Sequence, residues 1–380
     1  MKKILIATLE FPPQKGGIAN YLFGIVKHLP RDKAVVLAPK NPSLPLPSEK
    51  EGGFKIHRKK LISKFPFLWP GWLPLLFYLI LISQREKVES ILAGQVLPVG
   101  TAAFLVKKFL GIPYFISCHG MDILVAQKSP RRKRLLNKIL EQAQGVIANS
   151  QFTKNELTKI GVPENKITII YPCPSSKKQE NNKTKKQEIV EKFQLQDKKI
   201  LLTVGRLVER KGHDKIIEAL PKILEHMPNA MYVVVGDGPE KEKLQVLGSK
   251  LQVQNKVMFV GEVSDEELRA FYELCDVFIM VSRQINGDVE GFGTVYLEAN
   301  QYGKPVVAGR SGGVAEAVED GVTGLVIDDP TNTSQIAEAA IKLLAEDDLA
   351  KKLGAQGRNC VERKFKWEIQ VKKLIRELTN

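Results

Sequence analysis

Short apolar runs recur along the chain, each closed by glycine or a polar residue and followed by a longer stretch of helical period. In the first half they fall at Lys3–Leu9, Ser90–Gly94, Pro113–Cys118 and Gly145–Asn149. In the second they fall at Lys199–Val204, Met231–Gly236, Val257–Val260, Val277–Val281 and Pro305–Val307. The runs are apolar throughout rather than alternating, as in strands buried on both faces of a parallel sheet. Helical stretches between them, such as Ile18 to Leu29, complete the alternation of a doubly wound α/β fold. The pattern occurs twice, and 380 residues suit two cores better than one. Residues 174–198 shift to Ser, Lys, Gln and Asn, with no aromatic before Phe193, and read as a linker or exposed insertion. The expected division is therefore a domain at 1–173, a connection at 174–198, a second domain at 199–362 and a terminal segment at 363–380, helical from about Trp367 to Leu378.

One stretch interrupts this rhythm. Phe65 to Ser83 carries no formal charge between Lys64 and Arg85, a length that invites a membrane span. Pro66, Pro70 and Pro74 prevent a continuous helix before position 74, leaving roughly 15 Å of helix, half of a bilayer core. Two readings remain: a short buried helix starting at Pro74, or a surface that dips into a membrane interface through Trp69 and Trp72. Charge bears on that choice. Residues 1–173 hold 26 Lys or Arg against 10 Asp or Glu, so the chain's net charge of +15 lies wholly in its first half. Basic runs at Lys55–Lys64 and Lys128–Lys138 fit an anionic membrane surface. They also fit ordinary solubility. Nucleic acid is disfavoured, because no zinc spacing, helix-turn-helix or aromatic interleaving accompanies the charge.

Cys118, Cys173, Cys275 and Cys360 are far apart and form no metal-binding spacing, which suits buried thiols in a reducing cytosol. The run after Lys2 and Lys3 is short and meets Glu10, so it reads as a first strand rather than a signal peptide.

The chemistry concentrates in Asn286–Asn300. Glu290 is followed by Gly291, Phe292, Gly293 and Thr294, then by the helix-like run from Val295 containing Glu298. Glycines let the backbone approach a ligand, and the N–H groups that open a helix favour an anion. Glu298, inside the helix, can accept from ribose hydroxyls, while Glu290 sits where a sugar ring would lie. A solvated acidic helix start is the plain alternative. Elsewhere, Phe11 to Gly17 forms a strand–glycine–helix turn, and Cys118-His119-Gly120 places His119 at a strand's carboxyl end, where open α/β sheets bind ligands. Arg206 and Lys211 flank a strand-end glycine, Gly205, and suit a pyrophosphate: Arg as a planar fork, Lys as a compact charge. Ser150, after Asn149, reads as the N-cap of the helix that follows.

These motifs, in their order, resemble the retaining glycosyltransferases of family 4. The resemblance rests on Gly205-Arg206-Leu207, Lys211-Gly212, Gly236-Asp237-Gly238, Glu290-x7-Glu298, Gly303-Lys304-Pro305, Gly312-Gly313-x-x-Glu316 and Gly321-Val322-Thr323-Gly324, and spans nearly the whole chain. It implies the GT-B fold, two Rossmann-like doubly wound domains facing a cleft, with the acceptor on the N-terminal domain, the nucleotide-sugar on the C-terminal one, and the last helix crossing back to the first. It implies catalytic roles for His119, Arg206, Lys211 and Glu290, and substrate contacts at Gly16, Gly17, Gly205, Gly236, Val263, Gly291, Phe292, Gly293, Thr294, Val295 and Glu298. A front-face reaction with retention follows, in which the leaving phosphate deprotonates the acceptor hydroxyl. The segment from Gly287 to Ala299 looks most like the branch that includes phosphatidylinositol mannoside mannosyltransferases, which implies GDP-mannose and a lipid or glycan acceptor. Thr294 stands where that branch often has an aliphatic residue. A UDP-sugar transferase of polysaccharide assembly stays open, and so, more remotely, does a sugar-nucleotide epimerase. No Asp-x-Asp motif stands at a strand end, so neither metal nor cofactor is expected; a peripheral enzyme of the cytoplasmic membrane face is. Oligomeric state is not legible.

Overall fold

The computed structural model describes residues 1–14, 16–40, 53–63, 70–175 and 183–379. These divide into two compact units, residues 1–173 with 367–380, and residues 174–366.

The first unit holds a seven-stranded sheet: β1 (Ile4–Ala7), β2 (Ala34–Pro39), β3 (Lys55–Lys59), β4 (Ser90–Ala93), β5 (Tyr114–Cys118), β6 (Gly145–Ala148) and β7 (Ile167–Ile169). Its order is β3-β2-β1-β4-β5-β6-β7, with parallel pairing throughout. Ile4, Leu5, Ile6 and Ala7 are all fully buried, as expected of a strand covered on both faces. The order reverses between β1 and β4, so the chain leaves these two strands in opposite directions and opens a crevice at their carboxyl ends.

The stretch before Pro74 falls partly outside the described residues, Phe65 and Trp69 included. From Leu73 to Arg85 it is a helix with Leu75, Leu79 and Ile82 in the core. Its other face is apolar too: Phe77 is 60% exposed and Leu81 45%. The buried face matches the reading of a short core helix, while Trp69, named in the interfacial reading, lies outside the described residues.

The second unit holds β8 (Lys199–Val204), β9 (Ala230–Val235), β10 (Val257–Gly261), β11 (Val277–Met280), β12 (Val306–Gly309) and β13 (Leu325–Ile327). The order is β10-β9-β8-β11-β12-β13, again parallel, with the reversal between β8 and β11. Part of the expected linker is folded. Lys183–Lys192 is a helix with Ile189 buried, packed on helix Asp265–Leu274 and tied to it by Lys186 and Glu273 at 3.5 Å. A segment of good helix formers with a small apolar contact is helical because it has something to pack against.

The final helix, Trp367–Thr379, packs on helix Gly17–His28 of the first unit. Trp367 lies so close to Gly24 that a Cβ there would sit 2.2 Å from the indole.

Candidate functional site

In the second unit the carboxyl ends of β8 and β11 lie side by side. After β8 the chain turns at Gly205, and Gly236, at the end of β9, presses against that turn. A Cβ on Gly236 would stand 2.1 Å from the Gly205 carbonyl, and its φ of 131° is open to glycine alone. Glycine at 236 is therefore required by backbone packing, which brings β9's end against Gly205. Beyond it, Glu209–Lys211 forms one tight turn closed by Gly212, whose φ is 75°. A Cβ at 212 would stand 2.2 Å from the Val281 carbonyl. This contact presses Arg210 and Lys211 onto the end of β11, where the Arg283 N–H donates to the Arg210 carbonyl at 2.9 Å.

Glu290 receives both cations. Lys211 Nζ and Arg210 Nη1 each lie 2.6 Å from Glu290 Oε2, and Ser282 Oγ donates to the same oxygen at 3.3 Å. Arg210 Nε also meets Asp288 Oδ1 at 3.1 Å. Burial drives the Glu290 carboxyl pKa upward, but Lys211 and Arg210 outweigh it and hold the group down at about 2. Glu290 is thus an anion at any physiological pH, although only 9% of the residue is exposed.

The Gly312-Gly313 pair wraps the backbone of this carboxylate. The Gly313 N–H donates to the Glu290 carbonyl at 2.9 Å, and Ser311 Oγ contacts the Glu290 N–H at 3.3 Å. A Cβ at 312 would stand 2.2 Å from the Glu290 carbonyl, and one at 313 would stand 2.4 Å from that of Gly291. Helix Thr294–Gln301 then starts after Gly293, whose φ is 88°. The Phe292 ring turns away, buried against Phe365 with centroids 5.7 Å apart, so this residue can offer a ligand only its backbone. Thr294 and Val295, in the helix's first turn, are half-buried. Inside the helix, Glu298 Oε2 accepts from Tyr272 Oη at 2.7 Å. Burial pushes the Glu298 carboxyl up, opposed by that hydrogen bond.

Lys211, Glu290 and Gly205 thus gather at one sheet edge, where Gly205's Cβ position lies 3.8 Å from Lys211 Cε. Arg206 stands apart: its side chain is exposed and makes no ion pair among the described residues. Its carbonyl faces His213 Nε2 at 3.4 Å. Val263 is half-buried between β10 and helix Asp265–Leu274. Arg210, Asp288, Ser282 and Tyr272 escaped the sequence reading. Only the adjacency of Arg210 to Lys211 offered a clue.

In the first unit His119 follows β5 and is 8% exposed. Its Nε2 lies 2.9 Å from the Gly94 carbonyl at the end of β4, which assigns the proton to Nε2. Its backbone N–H donates to Asp122 Oδ1 at 2.9 Å, and the Tyr21 ring stands edge-on at 5.4 Å. Gly16 and Gly17 begin helix Gly17–His28. The Gly16 Cβ position lies 3.6 Å from Glu10 Oε2, a carboxylate that the sequence reading missed. Burial raises the Glu10 carboxyl, and His119 opposes the rise. Ser150 caps helix Gln151–Lys159 by accepting from the Thr153 N–H, as its sequence position implied.

Among the described residues no three His, Cys, Asp or Glu side chains converge as metal ligands, and no helix is long and apolar enough to cross a membrane.

Known proteins resemble this chain in sequence and fold. The model of the group 1 glycosyl transferases matches residues 185–360, and that of glycosyltransferase family 4 matches residues 15–173. A GDP-mannose-dependent alpha-(1-6)-phosphatidylinositol monomannoside mannosyltransferase of Mycobacterium tuberculosis is 30% identical over 98% of this chain and 97% of its own. Its counterpart from Mycolicibacterium smegmatis is 31% identical over 99% and 98%. The crystal structure of Anabaena HepE with UDP and glucose superposes with a TM-score of 0.81 at 21% identity over the full length of both chains, which establishes two Rossmann-like units of GT-B type. With both family models and near full-length relatives in agreement, the chain belongs to the family 4, group 1 glycosyltransferases and is a hexosyltransferase.

Proposed function

We propose that this enzyme is a retaining mannosyltransferase that takes GDP-mannose as donor and a membrane lipid hydroxyl, of the phosphatidylinositol mannoside kind, as acceptor, without a required metal. The observation that carries the donor site is the approach of Lys211 Nζ to Glu290 Oε2, 2.6 Å, beside the Gly291–Gly293 turn that opens a helix. In this reading the diphosphate lies over that helix start with Lys211 and Arg206 as its cations, and Glu298 holds the ribose. Glu290 takes hydroxyls of the sugar through Oε1, which meets no donor among the described residues. The backbone at Gly205, Gly236, Val263 and Gly291–Val295 lines the nucleotide.

The acceptor hydroxyl attacks C1 on the face the diphosphate leaves. The C1–O bond to phosphate breaks as the bond to the acceptor forms, and the acceptor's proton passes to the departing phosphate oxygen. Arg206 and Lys211 stabilise the charge that gathers there. His119, Gly16 and Gly17 serve the reacting sugar and the acceptor.

The mannose donor and lipid acceptor are supported by the relatives' named activity. A lipid acceptor also fits the first unit's surface. Phe77 and Leu81 are exposed on helix Leu73–Arg85, which packs on helix Thr101–Leu110 carrying exposed Phe109 and Lys108. That helix packs in turn on Pro130–Gln142, with Arg131, Arg132, Lys133 and Arg134 exposed. Apolar and basic side chains on neighbouring helices suit an anionic bilayer surface.

The test is a thermal-shift panel of GDP- and UDP-sugars on the wild type, Glu298→Ala and Lys211→Ala. GDP-mannose should raise Tm of the wild type alone. A shift with UDP-glucose instead would move the enzyme to the UDP-sugar class, and no shift with any would sink the proposal.

A further inference from the structure

Three donors crowd one oxygen of Glu290, while the two cations among them differ in what else holds them. Lys211 Nζ pairs with Glu290 alone among the described residues. Arg210 is held at two points, Nη1 on Glu290 Oε2 at 2.6 Å and Nε 3.1 Å from Asp288 Oδ1. Its backbone carbonyl is fixed by the Arg283 N–H at 2.9 Å, and Arg283 is itself locked to Asp214 by two bonds of 2.8 Å. The guanidinium's planar fork spans Glu290 and Asp288 here, whereas the Lys211 ammonium has Glu290 alone among the described residues and sits on a flexible stem. Lys211 is free to leave, and Arg210 stays.

That asymmetry matters when the diphosphate arrives, and the argument here rests on the reading in which Lys211 serves it. Lys211 must then give up Glu290, which would leave a buried carboxylate with no cation if it had no other partner. Such a group takes up a proton rather than remain charged. A protonated Glu290 is a poorer acceptor for sugar hydroxyls.

We propose that Arg210 is a positioning residue that keeps Glu290 ionised and in place after Lys211 transfers to the donor diphosphate, so that nucleotide binding and sugar binding do not compete for one cation. The groups facing Glu290 are Arg210 and Lys211 from the 209–211 turn, Ser282 after β11, Asp288 in its own loop and Tyr296 of the following helix. The Tyr296 hydroxyl is committed elsewhere, donating to the Met280 carbonyl at 2.7 Å. No other cation is at hand among these.

The experiment is calorimetric titration of GDP and UDP at pH 5.5 into wild type, Arg210→Gln, Arg210→Met and Arg210→Lys, in buffers of different ionisation enthalpy, which counts the protons exchanged on binding. Thermal melts verify that each variant is folded. The neutral variants should bind with up to about one more proton taken up than wild type. Arg210→Lys should restore the wild-type count, and Glu290→Gln introduced into Arg210→Gln should abolish the excess. A residue that served only the fold would weaken binding and leave the proton count unchanged. Equal counts in wild type and both neutral variants would overturn this inference and leave the donor assignment standing. Failure of the wild type to bind either nucleotide would remove the donor assignment, and this inference with it.

Discussion

The Tyr272 hydroxyl donates to Glu298 Oε2 at 2.7 Å, and the Tyr272 ring lies flat on Tyr302, centroids 5.7 Å apart and planes 7° from parallel. The stack fixes the phenol, the phenol fixes the carboxylate, and the other oxygen of Glu298 is left for the ribose of the proposed donor. Tyr272→Phe keeps the stack and removes only the donor. A hydrogen bond to a charged group contributes about 1.5–3 kcal/mol. The variant should therefore bind GDP about tenfold more weakly by calorimetry, and should lose most of the wild type's preference for GDP over 2′-deoxy-GDP. An unchanged preference would show that Glu298 does not read the ribose.

Gly312 makes a separate prediction about Glu290. A Cβ at 312 would collide with the Glu290 carbonyl, and its φ of 53° already strains any other residue. Gly312→Ala should cost about 2 kcal/mol or more in urea unfolding. It should also abolish the donor-induced thermal shift, because the backbone that carries the carboxylate must move. Retention of both would mean that the loop yields cheaply.

The sheet cores were readable because a strand buried on both faces leaves an uninterrupted apolar run. Where that condition fails, the strand is hidden. β3, Lys55–Lys59, is an edge strand with Ile56 buried, and its charges read as a basic surface run rather than as a strand. β2, Ala34–Pro39, is apolar but ends on proline and runs into a proline-rich stretch, without the glycine turn and helix that marked the others. The site divides in the same way. Glu290, Glu298 and Lys211 could be named because their spacing among glycines is distinctive. Arg210 sits in Glu209-Arg210-Lys211, where residue type alone suggests a solvated turn, and only Gly212 folding that turn onto Val281 aims it inward. Tyr272 is recognisable only once helix Asp265–Leu274 is known to lie beside helix Thr294–Gln301.

A buried cluster in the first unit predicts the acid response of the fold. Glu86, 8% exposed, meets Lys55 at 2.7 Å, His57 at 3.1 Å and Lys3 at 3.4 Å. Burial raises its carboxyl, but Lys55 and His57 bring it down to about 2 from an ordinary value near 4.5. A carboxyl depressed by folding stabilises the protein above its unfolded value, and that contribution fades as pH falls through the folded one. With Lys55 half exposed and screened, the contribution is about 2 kcal/mol. Glu86→Gln should therefore be less stable than wild type at pH 7, with the gap closing between about pH 4.5 and 2. A gap that is constant with pH would assign the loss to packing.

Metal independence is testable directly. If Arg206 and Lys211 meet the leaving diphosphate, transfer from GDP-mannose should proceed at an unchanged rate in EDTA. A rate abolished by EDTA and restored by Mg²⁺ or Mn²⁺ would require a metal in their place.

The proposed membrane surface comprises the exposed apolar face of helix Leu73–Arg85 and the basic helix Pro130–Gln142, joined through helix Thr101–Leu110. Lys138 and Lys108 both lie over the Phe104 ring, at 5.8 and 5.5 Å, so helices Thr101–Leu110 and Pro130–Gln142 share a cationic seam. Each basic residue near an anionic surface contributes about 1 kcal/mol. Charge reversal at Arg131 and Arg132 to Glu should therefore cut co-sedimentation with phosphatidylglycerol vesicles more than tenfold, and raised salt should do the same to wild type. Phe77→Ser with Leu81→Ser should weaken vesicle binding with little salt dependence of the effect, because it removes apolar insertion rather than attraction. Neither change touches the donor site, so hydrolysis of GDP-mannose without acceptor should stay as in wild type. Vesicle binding unaltered by both pairs would place the lipid-facing surface elsewhere on the chain.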